Sequence, residues 1–524
     1  MPTIVAPTTV TTGTALSAGG VGDTVFVANT IFIISTDESG SGAMDSVAIR
    51  AFADNDILVQ GTVHGDQWGI LMGEEAGGGS VFVSDTGTVS ATSIAAIDNT
   101  PELGTANTGD FQLTNYGEVT ILGNGSAVRI QQGNIGAEGY DGNTNAISNY
   151  GAISALDPDG IAINLVNVGI STEIYNGIGA VISTNGERAI YGAVGPNTLG
   201  SEPDGNAGIL RITNEGEIAT NLGNAIQTLN GVTNYITNGG IINGDIRLAN
   251  GQDEILNSGL INGNVYMGEA NDTYDGRGGG QVLGVLDAEG GDDLYFIDVN
   301  GQAITDSGGN DTLRANADVA NVEGIEQILL RGTGDHSVEG SLSPEEIIGN
   351  SGDNLIQGSG GADTLVGASG SDTLEGGEGN DLIRGSTGND VLAGQDQNDT
   401  LLGGIGADTL IGGAGTDNLR GQQGPDVFVF TAITEFGTGA TRDIIVDFKR
   451  GEDLIDISDV NVDGAFTFLG TGAFTGTGAA EVRFTTNPAG HAIVRFDLDG
   501  DGIEDAQLNV RDVGTSLTAD DFVL

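Results

Sequence analysis

Nine consecutive copies of a nine-residue unit, with no insertion or deletion, occupy residues 349–429. Glycine opens every copy, from Gly349 and Gly358 through to Gly421. The sixth position is Asn354 in the first copy, then Asp363, Asp372, Asp381, Asp390, Asp399, Asp408, Asp417 and Asp426. The eighth is always large and apolar: Ile356, Leu365, Leu374, Ile383, Leu392, Leu401, Leu410, Leu419 and Phe428. Three registers kept in phase this long require equal coils stacked one on another.

The unit divides into a glycine-rich half that turns the chain and an x-apolar-x half that forms a short strand. Two units then close one coil, and the turns alternate between two sides. Asp363, Asp381, Asp399 and Asp417 stack on one side; Asp372, Asp390, Asp408 and Asp426 stack on the other. Strands in a stack lie roughly 4.8 Å apart. At an effective dielectric of about 20, adjacent carboxylates at that distance repel by roughly 3 kcal/mol before screening. A hard dication between turns reverses that sign. Carboxylates, with the carbonyls of turn glycines Gly361, Gly370, Gly379, Gly388, Gly406 and Gly415, suit calcium. From nine units, roughly seven such intervals are expected, the last turn of each side lacking a partner.

Composition agrees with this chemistry. Asp and Glu total 73 against 16 Lys and Arg, a net charge of −57. A chain so acidic is a poor partner for nucleic acid or an anionic membrane surface. The apolar fraction of 38% exceeds that of simple disorder, and cysteine is absent. No stretch is long and apolar enough to span a bilayer, and the amino terminus has no basic, apolar leader pattern. That suggests the cytosol, whose low calcium would leave such sites empty; export directed from the other end of the chain resolves the conflict.

The first half repeats more loosely. Over residues 56–267 a phrase recurs in which Asn or Asp, any residue and Gly precede a β-branched or apolar residue. It is centred on Asp85, Asn115, Asn149, Asn214, Asn238 and Asn257, with a weaker copy at Tyr175-Asn176-Gly177. Strand-length phrases at variable spacing predict a right-handed parallel β-solenoid whose inserts leave as loops, with the recurrent asparagines forming an internal ladder. Residues 1–55 are expected to cap it, and residues 268–348 to be a transition carrying single calcium phrases. Among these phrases Asp293 and Asp311 are candidate ligands, while plain Asn/Asp-Gly turns account equally well for Asp253 and Asp272. Residues 430–524 read as a small β-rich cap that closes the array at 349–429. Within it, Asp497, Asp499 and Asp501 form a D-x-D-x-D-G phrase. Leu508 stands where an EF-hand requires glutamate, so a smaller calcium loop or a solvated acidic turn is expected instead.

The array, followed by PDVFVFTAITEFGTGATRDIIVDFKRGEDLIDIS and ending in LTADDFVL, resembles the carboxyl-terminal region of bacterial RTX proteins, in particular that of serralysin-type proteases. The resemblance covers about residues 290–524. It implies a calcium-binding parallel β-roll and passage through type I secretion machinery on an uncleaved terminal signal, for which Asp520, Asp521, Phe522, Val523 and Leu524 fit the pattern. Secretion to the extracellular space or cell surface follows. Gln397 departs from the pattern at a fourth-position glycine.

Such tails are shared by proteases, lipases, epimerases, toxins and adhesins, so the purpose rests with the first half. No H-E-x-x-H occurs, which excludes a zinc protease of the serralysin kind, and no G-x-S-x-G lipase elbow is present. Asp157, Asp159, Glu187 and Arg188 are available to a polysaccharide lyase or uronate epimerase, but no spacing singles them out. The favoured reading is a non-catalytic, adhesin-type surface or matrix protein facing polysaccharide, another cell or copies of itself; the polysaccharide-modifying enzyme is the alternative.

Overall fold

The structure, a computed structural model, describes residues 3–5, 9–12, 16–18, 24–28, 32–36, 47–51, 55–72, 79–99, 110–131, 145–166, 171–193, 208–229, 232–320, 322–460, 465–487, 490–511 and 516–524. Among them there is no α-helix, and nearly every regular element is a short parallel strand. The chain divides into two compact units. The first holds residues 1–296 with 305–309, and the second holds 297–304 with 310–524. The boundary falls inside the segment expected to be transitional.

The first unit is a parallel β-solenoid with three short strands per coil. One coil comprises Asn55–Val59, Thr62–Gly65 and Trp68–Met72, and each strand pairs in parallel with its counterpart in Gly79–Val83, Thr88–Ala91 and Ala95–Asn99. One side of the stack continues through Phe111–Asn115, Asn145–Asn149, Thr172–Asn176, Ile209–Asn214, Thr233–Asn238, Glu254–Asn257 and Thr273–Asp275. The strands before residue 55 belong to the same stack: Thr3–Val5 pairs with Thr24–Val27, which pairs with Asn55–Val59. Residues 100–109, 132–144 and 194–207 lie outside the described residues.

Register explains the core. Ile57, Val81, Leu113, Ile147, Ile174, Ile212, Ile236, Ile255 and Tyr274 occupy one position in successive coils, and all are buried. Two residues further on lies the asparagine ladder. Asn115 Nδ2 donates to Asn149 Oδ1, and the same bond of 2.8–2.9 Å links Asn149, Asn176, Asn214, Asn238 and Asn257 in turn. Asn257 ends the run by donating to the Tyr274 hydroxyl. The expected ladder is therefore present, and the weak copy at Asn176 is a full member. Asp85 is not a member. Two extra residues lengthen its turn, so Val83 takes the ladder register and Asp85 is exposed.

Each ladder amide is fully buried, so it stabilises only while both neighbours are present. Asn176→Ala removes the ladder acceptor of Asn149, whose Nδ2 keeps only the Gly151 and Val181 carbonyls, and the ladder donor of Asn214. A loss of about 2–5 kcal/mol is expected, measured by urea unfolding of the calcium-loaded protein followed through Trp68, the single tryptophan.

The second unit has two strands per coil. One sheet runs Thr312–Ala315, Gln327–Leu330, Glu346–Ile348, Thr364–Ser369, Leu382–Thr387, Thr400–Ile405, Asn418–Gln423 and Ile444–Ile445. The other runs Ser337–Glu339, Leu355–Gly360, Thr373–Glu378, Val391–Asp396, Thr409–Ala414, Val427–Val429, Leu454–Asp456 and Phe522–Val523. All nine eighth-position side chains, Ile356 to Phe428, have zero exposure and form the core between the sheets. Each contributes about 1.5–3 kcal/mol of apolar burial. Beyond the array, Glu481–Thr486, Ala492–Asp497 and Ala506–Val510 are antiparallel, and the last of them rejoins the stack beside Ile444–Ile445.

Candidate metal centre

The sixth-position aspartates are placed by the strand that follows each of them. Their side chains turn inward at the coil corner, and all eight are 1–2% exposed. On one side the backbone N–H of Asp363 donates to Asp381 Oδ1, that of Asp381 to Asp399 and that of Asp399 to Asp417, at 2.8–2.9 Å. On the other side Asn354, Asp372, Asp390 and Asp408 donate in turn to Asp372, Asp390, Asp408 and Asp426, at 2.8–3.1 Å. One carboxylate oxygen of each aspartate is thus spent on an N–H of the preceding coil.

The second oxygen is different. Oδ2 of each of these eight aspartates is buried and has no hydrogen-bond partner. It is aimed at the glycine that opens its own unit. A Cβ on Gly367 would meet Asp372 Oδ2 at 2.4 Å and the Gly385 carbonyl oxygen at 2.9 Å. One on Gly385 would meet Asp390 Oδ2 at 2.3 Å and the Gly403 oxygen at 2.6 Å. A carboxylate oxygen and a carbonyl oxygen from the next same-side turn therefore converge on the bare glycine. An anionic oxygen left without a proton donor in a buried site is costly, and a cation held by oxygen ligands removes that cost.

The turns supply further oxygens. Gly361, Gly370, Gly379, Gly388 and Gly406 have φ between +119° and +154°, in the left-handed region that favours glycine. Their carbonyls point along the stack. A Cβ on Gly379, Gly388 or Gly406 would lie within 1.4–1.5 Å of the oxygen of Gly361, Gly370 or Gly388 respectively. Gly415 is not among the left-handed residues, but a Cβ there would meet the Gln397 oxygen at 1.7 Å. Gln397 itself takes φ +79°, so the substitution leaves the course of the turn in place.

Burial governs the electrostatics. It pushes Asp363, Asp399 and Asp426 up to about 7 and Asp390 and Asp417 up to about 6. It also raises Asp372, Asp381 and Asp408, against the lowering effect of the N–H donors. Neighbouring carboxylates add to the rise at Asp363, Asp390, Asp399 and Asp426.

Both ladders extend further than the nine units. Asp417 N–H donates to Asp443 Oδ1 at 2.8 Å across 26 residues, and Asp426 N–H to Asp453 Oδ1 at 3.1 Å across 27. The last turn on each side thus has a partner, contrary to the expectation from the repeat alone. Asp443 Oδ2 is also unpartnered, and burial raises this carboxyl to about 8. Asp453 Oδ2 instead accepts from Lys449 N–H, which closes its side. The sequence carried a signal for both, since Asp443-Ile444-Ile445 and Asp453-Leu454-Ile455 repeat the sixth-to-eighth-position phrase and bury Ile445 and Ile455. At the other end Glu345 stands in for an aspartate, donating its N–H to Asp363 Oδ1.

The remaining candidates lie outside the two aspartate rows. Asp293, in the first unit, is buried and accepts from Asp272 N–H; Asp311, in the second, is buried and donates its N–H to Glu326. Asp497, Asp499 and Asp501 bring carboxylate oxygens within 4.8 Å of one another in the loop between two antiparallel strands. Asp497 is fully buried with Oδ1 unpartnered, although Gly502 N–H holds its Oδ2. Asp157, Asp159, Glu187 and Arg188 lie at or beside solenoid turns, with Asp159 N–H bonded to Asp157 and Arg188 3.9 Å from the exposed Glu187.

Fold and site together define a calcium-binding parallel β-roll joined to a β-solenoid. Residues 339–374, 366–401, 375–410 and 394–428 each match the family of the RTX calcium-binding nonapeptide repeat. This segment is therefore an RTX repeat array, and calcium is its ion. A search of curated proteins gave no match to the chain. Among the described residues no helix is long and apolar enough to cross a membrane.

Proposed function

We propose that the chain is a secreted RTX protein of the cell surface or extracellular matrix whose array folds when it meets calcium outside the cell. The buried, unpartnered Oδ2 row carries this reading. Asp363, Asp372, Asp381, Asp390, Asp399, Asp408, Asp417 and Asp426 would hold calcium with the turn carbonyls, and Asp443 would extend one side. Asp497, Asp499 and Asp501 would form a separate, smaller calcium loop.

Export would be directed by the serralysin-like terminus through type I machinery. Phe522–Val523 pairs with Ile455 and Asp456, and Arg450 Nε lies 3.3 Å from Asp521 Oδ2. In the extended chain before folding, both contacts would be open, which leaves the segment readable during export. Deleting residues 516–524 is expected to abolish secretion from a host carrying type I machinery, with the protein accumulating inside the cell. Undiminished export of the truncated protein would contradict the reading.

The solenoid would act without catalysis, presenting its surface to polysaccharide. Support comes from an external aromatic strip, Phe82, Tyr116, Tyr150 and Tyr175, one per coil, with successive ring centroids 5.7, 4.7 and 5.5 Å apart. The first three are 38–45% exposed. A linear row of half-open rings offers an extended ligand, such as a chain of sugars, one apolar contact per coil. Retardation in polysaccharide-containing gels should fall when Tyr116 and Tyr150 are changed to alanine. An unsaturated product from a uronate polymer would favour the lyase alternative.

A further inference from the structure

We infer that the first unit contains its own calcium site, at the turns carrying Asp253 and Asp272, outside the RTX array and apart from the residues that match the family. Three backbone-to-carboxylate bonds reproduce the array's ladder there. Asn234 N–H donates to Asp253 Oδ1, Asp253 N–H to Asp272 Oδ1, and Asp272 N–H to Asp293 Oδ1, at 2.6–2.7 Å. The spacings are 19, 19 and 21 residues, so no nonapeptide period marks the site. Like the second side of the array, this ladder starts on an asparagine.

The independent observation is the other oxygen. Asp253 and Asp272 are 3% and 2% exposed, and Oδ2 of each is buried with no hydrogen-bond partner. A structural Asx turn would leave that oxygen to solvent or to a donor. The turn backbone also matches. In seven of the array's nine units residues two and four are both left-handed, as in Ser359 at +74° and Gly361 at +119°. Before Asp272 the same two places are Gly268 at +102° and Ala270 at +127°; before Asp293 they are Glu289 at +68° and Gly291 at +144°. A Cβ on Gly291 would meet the Ala270 carbonyl oxygen at 2.0 Å, so that carbonyl points to the next turn as the array's carbonyls do. Alanine and glutamate are held in a costly conformation, and what the turn gains is a carbonyl aimed between coils. Buried carboxylate and carbonyl oxygens, with no nitrogen or sulfur donor, select a hard dication such as calcium.

Tyrosine distribution makes the site separately observable. All nine tyrosines and the one tryptophan precede residue 296, and the array has neither. Tyr274 and Tyr295 each follow a ladder aspartate by two residues and are buried. Terbium(III), an oxygen-seeking luminescent substitute for calcium, is excited by tyrosine only at short range. The full-length chain is titrated with terbium under tyrosine excitation, beside Asp272→Asn, Asp253→Asn and a chain with Asp372, Asp390 and Asp408 all changed to Asn. Sensitised emission that calcium displaces is expected from the wild type and the array-substituted chain, falling to background in Asp272→Asn and strongly reduced in Asp253→Asn. Unchanged emission in both single variants overturns the site. Should those variants fail to fold, the array-substituted chain decides alone, and absence of sensitised emission from it overturns the inference. Failure of the array to bind calcium would appear instead as a wild-type ion count no higher than that of the array-substituted chain.

Discussion

Removing calcium from the full-length protein with a chelator at pH 8 is expected to unfold the array, and calcium at roughly millimolar concentration to restore it in one cooperative step. The reason lies in two rows of buried carboxylates. Each sits one coil from the next, each spends one oxygen on a backbone N–H, and each leaves Oδ2 without a donor. Without a cation the folded array must desolvate these charges beside one another, and nine buried apolar side chains do not offset that. Because each coil contacts only its neighbours, ions and coils stabilise one another along the stack, so the transition should be steep. Circular dichroism follows it, and a β signal unchanged by chelator would count against the account.

Acid should replace calcium in part. Burial raises Asp363, Asp399 and Asp426 to about 7, and Asp390 and Asp417 to about 6, above the ordinary aspartate value of 3.8. A carboxyl whose folded value is raised binds its proton more tightly when folded. Its contribution to the stability of the ion-free array is complete below the ordinary value and is lost as pH rises through about 6–7. In chelator, lowering the pH from 8 to 5 is therefore expected to recover β structure. Conversely, calcium added at pH 6 should displace protons, and in weakly buffered solution that release is directly measurable. Proton uptake on calcium addition, or an ion-free array less ordered at pH 5 than at pH 8, would contradict the assignment of these aspartates.

What could be seen in the sequence follows from where the period is strict. Gly349 to Phe428 keep one register, so strand, turn, core and aspartate row were all legible, and every eighth-position residue is buried as expected. Asp443 and Asp453 belong to the same rows but follow after 26 and 27 residues, because longer turns intervene. Only the short phrase of aspartate, any residue and an apolar residue marks them. In the solenoid, Asn115 to Asn257 were legible as a ladder since burial forces an amide to find amide partners. Asp85 misled because its turn is longer, which shifts the ladder register to Val83. Residues 1–55 carry no copy of the recurring phrase, yet strand pairing needs only the apolar alternation that Val25 and Val27 supply. Asp253 and Asp272 were indistinguishable from ordinary turns by composition. Their roles depend on which oxygen is bonded and which is not, and a sequence does not encode that locally.

Hydrogen exchange at the amides of Asp372, Asp390 and Asp408, with and without calcium at pH 8, tests the central claim most directly. Each of these amides donates to the aspartate of the next coil, so its protection reports the ladder itself. The account predicts slow exchange at all three in calcium and a shared collapse to the rate of an unfolded chain in chelator. Equal protection in both conditions would show that the aspartate rows are stable without the ion, and would contradict it.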